Sequence, residues 1–238
     1  MTATLAFVGV AGGVGTTRTV VETAATLARG GHSVAVLDAA FDTQGLSTYV
    51  GGRLDPELTS VVVDEAGFSE ALVEVWPDLA GEAALAPAYA PFERLARAKS
   101  VDAAQRLETC IDHARERYDH VLVDVPPVAD NQAVAAVRGA DRRALVAPAT
   151  ERGNDHLPRM RGRLVDLGFD ADAVVATFAD GGSALTEPDY ELPVGEQEGA
   201  VPTAVDPDTD YAPAVAEMVE GLCDCSLDLD FPEEGFFD

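Results

Sequence analysis

Lysine is almost absent from this sequence of 238 residues: Lys99 is the only one, and sixteen basic residues face forty-two acidic ones, a formal net charge of −26. Broad nucleic-acid binding relies on lysine and arginine to neutralise phosphates, so the charge argues against that class of partner. The acid-rich composition resembles that of proteins from salt-in halophiles, because molar salt shortens the Debye length to about 3 Å and screens self-repulsion. We therefore expect a halophilic protein; an ordinary acidic mesophilic protein is the alternative.

Cysteines and long apolar runs are also scarce. Three cysteines fit a reducing compartment, and no apolar run approaches the roughly 20 residues that a membrane span needs. The N-terminal apolar stretch has no basic residues ahead of it, so we expect no signal peptide and a cytoplasmic location. Hydrophobic residues make up 47% of the chain, which excludes a disordered protein and favours one large domain.

Apolar strands and amphipathic helices alternate along the chain, which predicts a doubly wound α/β fold with a mainly parallel sheet. The strands are predicted at 4–10, 32–38, 83–87, 120–124, 143–148 and 173–178. Helices are predicted at 17–29, within 58–75, and at 100–117, 130–138, 155–167 and 213–222, with a loop over 180–200. We expect one domain over residues 1–222 and an acidic tail over 223–238.

A glycine-rich loop lies between the first strand and the first helix. Glycines let successive backbone N–H groups turn towards an anion, and the helix N-terminus adds positive potential, so this placement suits a phosphate cradle. A tight turn without a ligand is the alternative. In the usual P-loop a lysine and then a Ser/Thr hydroxyl follow the last glycine. The candidate cofactor-binding residues are Gly12, Gly13, Val14, Gly15, Thr16, Thr17 and Arg18.

Four segments, in this order, resemble the ParA/MinD-type family of deviant-Walker P-loop ATPases. They are Ala11-Gly-Gly-Val-Gly-Thr-Thr-Arg18, the stretch 42–52 that contains Asp-Thr-Gln-Gly, the stretch 118–127 that ends in Val-Asp-Val-Pro-Pro, and the stretch 201–207. The resemblance implies a SIMIBI-like three-layer P-loop sandwich that binds ATP or ADP with Mg²⁺. It assigns Thr17 and Asp124 to the metal, and Asp42 to positioning the attacking water. Asp38 is a further catalytic candidate, with a strand-end carboxylate that caps a neighbouring loop as the alternative.

Two departures from the family pattern weaken the expected catalysis. Ala11 and Thr16 stand where the family has lysines, one of which reaches across a dimer, and Arg18 is the only nearby cation. Asp42 takes the place of the family's second Asp only if the loop carries two extra residues; otherwise that position is Ala40 and the water-positioning carboxylate is lost. We expect hydrolysis to be slow or absent.

The resemblance leaves several functions open. The first is a nucleotide-binding switch in partitioning or spatial positioning, with a possible nucleotide-dependent homodimer and an unknown protein partner or cargo. The alternative is a pseudo-ATPase scaffold that no longer binds nucleotide, and a third reading, an iron–sulfur carrier, depends on Cys223 and Cys225. The tail carries a net negative charge, which does not suit an anchor for anionic lipids. The four histidines show no metal-site spacing. The family often has an Asn that recognises adenine near positions 178–180, and no Asn is present there.

Overall fold

The computed structural model describes residues 3–64, 66–195, 202–205 and 211–231. Within these residues eight strands form one sheet. They are β1 (Ala3–Gly9), β2 (Ser33–Asp38), β3 (Val73–Val75), β4 (Glu82–Ala86), β5 (His120–Val125), β6 (Arg142–Pro148), β7 (Ala173–Thr177) and β8 (Tyr190–Glu191). The order across the sheet is β3-β4-β2-β5-β1-β6-β7-β8, and β3 alone runs antiparallel to its neighbour.

Helices cover both faces of this sheet. They are α1 (Thr16–Arg29), α2 (Leu58–Asp64), α3 (Phe92–Ala98), α4 (Val101–Arg115), α5 (Asn131–Gly139), α6 (Glu151–Asp166) and α7 (Tyr211–Cys223). The chain moves one way across the sheet through α1 and the other way through α4, α5 and α6, so right-handed crossovers place α1 on the opposite face from those three. α7 packs beside α1. The doubly wound, mainly parallel sheet predicted from the sequence is confirmed.

Local sequence explains where these elements lie. The strands at the centre of the sheet are buried on both faces and are almost wholly apolar; all six residues of β5 are buried. α4 begins after Ser100, whose side chain accepts a hydrogen bond from the N–H of Ala103. α5 begins after Asp130, which accepts one from the N–H of Ala133. Both side chains satisfy N–H groups that have no acceptor inside the helix.

Several elements differ from the sequence-based prediction. Within the region 58–75, where helix was predicted, α2 ends at Asp64, and residues 73–75 form the antiparallel edge strand β3. The sequence reading missed α3, and it missed β8 inside the predicted loop 180–200. α6 begins at Glu151, four residues early, and contains Pro158. The two missed strands are very short and are held by pairing to a single neighbour each, which a local sequence pattern does not reveal.

Residues 224–231, here called the C-terminal segment, lie back against α1 and α7. Leu227 is 9% exposed, beside Gly30. Its N–H donates to Glu220 Oε1 at 2.7 Å. The guanidinium of Arg29 donates to the carbonyl of Asp230 at 3.0 Å and lies 5.0 Å from the ring centre of Phe231. Residues 232–238 of the predicted tail lie outside the described residues, so its division from the domain stays a prediction.

Among the described residues, no helix combines the length and the apolar character that crossing a membrane requires.

Candidate functional site

The glycine loop joins the carboxyl end of β1 to the start of α1. Gly13 and Gly15 have φ values of +73° and +88°, a left-handed backbone that residues with a Cβ rarely adopt. At Gly9 an added Cβ would lie 2.6 Å from Thr16 Oγ1. The first N–H groups of α1 have no acceptor within the helix. The loop therefore has the geometry of an anion cradle, and its shape requires the glycines that the sequence supplies.

A cleft of about 480 Å³ opens in front of this loop. Its walls include all seven predicted cofactor-binding residues, which occupy positions 12–18, together with Ala11. The other walls come from the loop after β2, from the end of β5 with the turn that follows it, and from the residue after β7; they are Ala40, Thr43, Gly45, Thr48, Tyr49, Asp124, Val125, Pro126, Pro127 and Phe178. The structure thus brings the glycine loop and the Asp-x-Pro-Pro segment into one site.

Thr17 and Asp124 meet inside this cleft. The hydroxyl of Thr17 donates a hydrogen bond of 2.6 Å to Asp124 Oδ2. Asp124 is 1% exposed, and burial raises the pKa of its carboxyl to about 6 against the lowering effect of the Thr17 bond. A hydroxyl and a carboxylate are hard oxygen donors of the kind that Mg²⁺ selects. The two residues predicted as metal ligands therefore fit that ion.

Asp38 lies beside Asp124 but is not among the residues that line the cleft. Its Oδ1 accepts from the N–H of Ala40 at 2.8 Å, and its Oδ2 accepts from the N–H of Ala88 at 3.3 Å. Burial, and then the charge of Asp124, raise the pKa of Asp38 to about 8. In this position Asp38 ties together the loops that follow β2 and β4.

Asp42, the predicted water-positioning carboxylate, also lies outside the cleft lining. It is exposed, and its Oδ2 accepts from Lys99 Nζ at 2.5 Å. Ala40 is the residue of this loop that faces the cleft at the corresponding point. Ala40 therefore lines the cleft and Asp42 does not, while the assignment of a water-positioning residue stays a prediction.

Arg18 is the one cationic residue among the described residues that line the cleft. Its guanidinium pairs with Glu22 and donates to Thr203 Oγ1. Glu22 is fully buried and also accepts from the N–H groups of Thr203 and Ala204, at 2.8 and 2.7 Å. Arg18 thereby fastens the 3₁₀ turn Thr203–Val205 to α1 while one side of it borders the cleft.

A second pocket of about 190 Å³ adjoins the first and shares Gly15, Arg18, Tyr49 and Phe178 with it. Three aromatic residues contribute to its walls: Tyr49, Phe178 and, from α7, Tyr211. Phe178 is 43% exposed and has a left-handed backbone with φ +60°, directly after β7. The sequence reading noted position 178 but missed Tyr211, because only the packing of α7 on α1 brings that residue to the loop.

Comparisons with known proteins find relatives of this chain. A family model described as an AAA domain matches residues 2–157. The septum site-determining protein MinD of Synechocystis sp. is 31% identical over 146 residues, which are 59% of this chain and 47% of that protein. The match therefore spans about half the length of that curated relative.

Solved structures share the fold at lower identity. MinD from Pyrococcus horikoshii OT3, complexed with Mg-ADP, superposes with a TM-score of 0.77 at 18% identity, covering 93% of this chain and 96% of that one. A ParA family ATPase from Chlorobium tepidum TLS superposes with a TM-score of 0.75 at 16% identity, covering 92% and 99%. At these identities the likeness concerns the fold.

Proposed function

The chain belongs to the ParA/MinD-type P-loop ATPases, and on this premise we propose that it is a nucleotide-binding switch that binds ATP with Mg²⁺ and hydrolyses it slowly or not at all. The observation that carries the proposal is the 2.6 Å hydrogen bond between Thr17 and Asp124, at the mouth of an intact glycine loop. This pair keeps the metal-binding chemistry of the family although the loop lysine is replaced by Thr16.

Phosphate binding rests on the backbone in this proposal. The N–H groups of the loop and of the first turn of α1 supply donors and the positive end of the helix dipole. Arg18 adds the nearest side-chain charge, although its guanidinium is already held by Glu22 and Thr203. The cradle is therefore less positive than one that contains a lysine, and we expect a micromolar rather than a nanomolar dissociation constant for ATP.

Thr17 and Asp124 hold Mg²⁺ in this proposal. The ion, when bound, neutralises charge on the β- and γ-phosphates. Asp124 supplies the carboxylate from the end of β5, and Thr17 supplies the hydroxyl from the start of α1. Burial raises the pKa of Asp124. A bound Mg²⁺ would lower that pKa again, because a nearby cation favours the charged carboxylate.

Slow hydrolysis follows from two missing side chains. Thr16 places no positive charge where charge develops during phosphoryl transfer, and donors of that kind are worth about 3–4 kcal/mol, or two to three decades of rate. Ala40 faces the cleft where a carboxylate would orient water, and Asp42 is turned to Lys99. The switch would then rest on occupancy by ATP or ADP and much less on turnover.

The aromatic pocket beside the loop suits the base of the nucleotide. Phe178 and Tyr211 offer ring faces, and base–aromatic stacking is worth about 1–3 kcal/mol. Stacking tolerates either purine, so ATP and GTP must be compared directly. Phe178→Ala should weaken binding of the preferred nucleotide about tenfold.

Nucleotide-dependent dimerisation is the output that we propose for the switch. Ala11 replaces the lysine that reaches across the dimer in the family, so a dimer of this chain must rest on other contacts. Sedimentation equilibrium with ATP, with ADP and without nucleotide tests this directly. A chain that stays monomeric in every state would require a protein partner or cargo to read the bound nucleotide instead.

The central experiment is calorimetric titration of ATP, with and without Mg²⁺, into the full chain in molar KCl. We expect a dissociation constant near 1 µM with Mg²⁺, about −8 kcal/mol. Thr17→Val should weaken Mg-ATP binding at least about tenfold and affect Mg²⁺-free ATP less. Thr48→Val, at a cleft-lining threonine whose hydroxyl donates to the carbonyl of Gly45, is the matched control and should bind normally.

The opposite result has a clear meaning. If folded protein gives neither heat nor a thermal shift at millimolar ATP, the switch proposal fails and the pseudo-ATPase scaffold takes its place. Circular dichroism in the same buffer verifies the fold, because an acidic chain unfolded by low salt would also fail to bind.

A further inference from the structure

Two histidines and a cysteine from distant parts of the chain meet at the edge of the sheet away from the cleft. His32 comes directly before β2, His120 is the first residue of β5, and Cys225 follows α7. One potential ligand atom from each residue lies within 4.8 Å of the others. The sequence analysis found no metal-site spacing among the histidines; His32 and His120 nevertheless lie close together, because neighbouring parallel strands bring their starts together.

One ring nitrogen of His120 has no hydrogen-bond partner. His120 is 7% exposed, and within the described part of the chain its Nδ1 is buried without a hydrogen-bond partner. The ring of His32 packs against it edge to face, with ring centres 5.1 Å apart at 73°. A buried unpartnered ring nitrogen costs free energy unless a ligand satisfies it. The same ring lies close to a second imidazole and a thiol, which are groups that bind transition metals.

We propose that His32, His120 and Cys225 bind one transition-metal ion of the Zn²⁺ class, which fastens the C-terminal segment to the amino-terminal edge of the sheet. Two imidazoles and a thiolate form a borderline-soft donor set that selects Zn²⁺ over Mg²⁺. Water completes the fourth position. In a tetrahedral zinc site the ligand atoms are separated by about 3.3–3.7 Å, so a contraction of about 1 Å from the present spacing is enough.

The protonation states are compatible with this role. Burial, and then the neighbouring His32, lower the pKa of His120, which keeps its ring neutral and able to coordinate. Burial and the carboxylates of Glu220 and Asp224 raise the pKa of the Cys225 thiol. Binding at neutral pH therefore releases the thiol proton to the buffer as the metal–sulfur bond forms.

The backbone around the three residues is already held in place. The N–H of His32 donates to the carbonyl of Leu27, and its carbonyl accepts from the N–H of Glu82. Asp224 has a left-handed backbone with φ +51°, which turns the chain sharply after α7. The N–H of Cys225 then donates to the carbonyl of Glu220 at 3.3 Å. A metal ion would add a cross-link between this turn and two core strands.

This site is separate from the nucleotide cleft and does not depend on the proposed function. His120 and Asp124 stand at opposite ends of β5, about 13 Å apart at the usual rise of a strand. Cys223, which the iron–sulfur reading paired with Cys225, is buried in α7 and is not one of the three clustered residues. The structure therefore joins Cys225 to the histidines rather than to Cys223.

Cobalt titration of the full, metal-free chain in molar KCl with a non-chelating phosphine reductant tests the proposal. We expect one Co²⁺ per chain, with the near-ultraviolet sulfur-to-cobalt band and the visible bands of a tetrahedral ion, and displacement of Co²⁺ by Zn²⁺. Cys225→Ser should abolish the sulfur band, and His32→Gln should weaken Co²⁺ binding at least about 100-fold, since loss even of residues behind the ligands costs 10–100-fold. His113→Gln and Cys223→Ala are the matched controls and should bind normally.

Each other result overturns the proposal. A missing sulfur band, a band that survives in Cys225→Ser, or a band lost in Cys223→Ala would each exclude this ligand set. Half a metal ion per chain would mean that two chains share the ion. If Cys225→Ser does not fold, the affinity of His32→Gln for Co²⁺ still tests the ligand set. Circular dichroism shows whether each variant is folded.

Hydrogen exchange supplies a second readout of the cross-link. Zn²⁺ should slow exchange of the amides at 225–231 at least about tenfold in the wild-type chain, because a ligand that binds only the closed form suppresses opening. The same amides in His32→Gln should not respond to Zn²⁺. Equal exchange with and without Zn²⁺ in a wild-type chain that has bound the ion would show that the metal does not fasten the segment.

Discussion

Asp38 and Asp124 lie directly opposite each other at the carboxyl ends of β2 and β5, and both are buried. Burial raises both pKa values, to about 8 for Asp38 and about 6 for Asp124, and the charge of Asp124 contributes to the shift of Asp38. Two adjacent buried carboxyl groups favour sharing a proton when no cation is near. The fold thus places two buried carboxyl groups next to each other, and one of them accepts a hydrogen bond from the hydroxyl of Thr17.

This carboxyl pair predicts a pH dependence of stability without Mg²⁺. The folded state holds a proton on Asp38 up to about pH 8, whereas the unfolded chain releases it near pH 4. The folded state binds more protons in between, so the free energy of unfolding should fall as pH rises from about 4 to 8. Denaturant titrations in molar KCl with a chelator, at each pH, measure this slope.

Asp38→Asn isolates the contribution of that residue. Between pH 4 and pH 8 the free energy of unfolding of the variant should fall less than that of the wild type, by more than about 1 kcal/mol, since each unit of pKa shift corresponds to about that amount. It should also be less stable at acid pH, because an amide NH₂ then faces the N–H of Ala40 or Ala88. Asp42→Asn, at an exposed carboxylate, should keep the wild-type slope. Identical slopes in all three proteins would contradict the assignment.

Restoring the loop lysine should restore catalysis in part. We expect Thr16→Lys to tighten ATP binding at least about tenfold, as charge-assisted bonds are worth about 1.5–3 kcal/mol. Its hydrolysis rate should rise by two to three decades at most. Phosphate-release assays and calorimetry measure both quantities. Thr48→Lys adds the same charge to the cleft away from the loop, and an equal gain there would attribute the effect to net charge instead.

Removing the buried carboxylate of Glu22 should strongly destabilise the fold. In Glu22→Ala the N–H groups of Thr203 and Ala204 lose their acceptor and Arg18 loses its partner. Breaking a buried ion pair in this way costs about 3–5 kcal/mol. Glu217→Ala, at an exposed position in α7, should stay within about 0.5 kcal/mol of the wild type. Denaturant unfolding in molar KCl compares them, and similar losses would show that the Glu22 contacts contribute little.

Salt should stabilise this chain over an unusually wide range. With a net charge of −26, the acidic side chains repel one another across the surface. Raising KCl from 0.1 M to 1 M shortens the Debye length from about 10 Å to about 3 Å, which weakens this repulsion. We expect the thermal midpoint at pH 7 to climb throughout this range. The same titration at a pH where most carboxylates are protonated should give a smaller rise. A midpoint that is independent of KCl at pH 7 would refute the halophilic interpretation.

Local sequence was enough to locate the glycine loop that we propose as the phosphate cradle. Gly13 and Gly15 are needed because the loop turns through left-handed backbone, and Thr17 follows at a fixed distance along α1. The resemblance to the family singled out Asp124 in advance, and the structure brings its carboxylate to the glycine loop, where it accepts a hydrogen bond from Thr17. Residues near each other in sequence, or at the ends of neighbouring parallel strands, are brought together by regular geometry alone.

The conformation of the loop after β2 could not be predicted from the sequence. The sequence allowed either Asp42 or Ala40 to face the cleft, because the loop can be aligned with the family pattern in two ways. The structure places Ala40 in the cleft wall and pairs Asp42 with Lys99, the only lysine of the chain. Loop conformation depends on partners in other elements, here the hydrogen bond that Asp38 accepts from the N–H of Ala40.

The sequence by itself determined the alternation of strands and helices, the glycine loop and the acidic surface, because hydrophobic period, backbone freedom and charge are properties of short stretches of chain. Tertiary structure alone decided the meeting of His32, His120 and Cys225, the aromatic wall completed by Tyr211, and the seating of the C-terminal segment on α1. These contacts join residues far apart in sequence. Their distances are set by strand order and helix packing, which are fixed only when the whole core assembles.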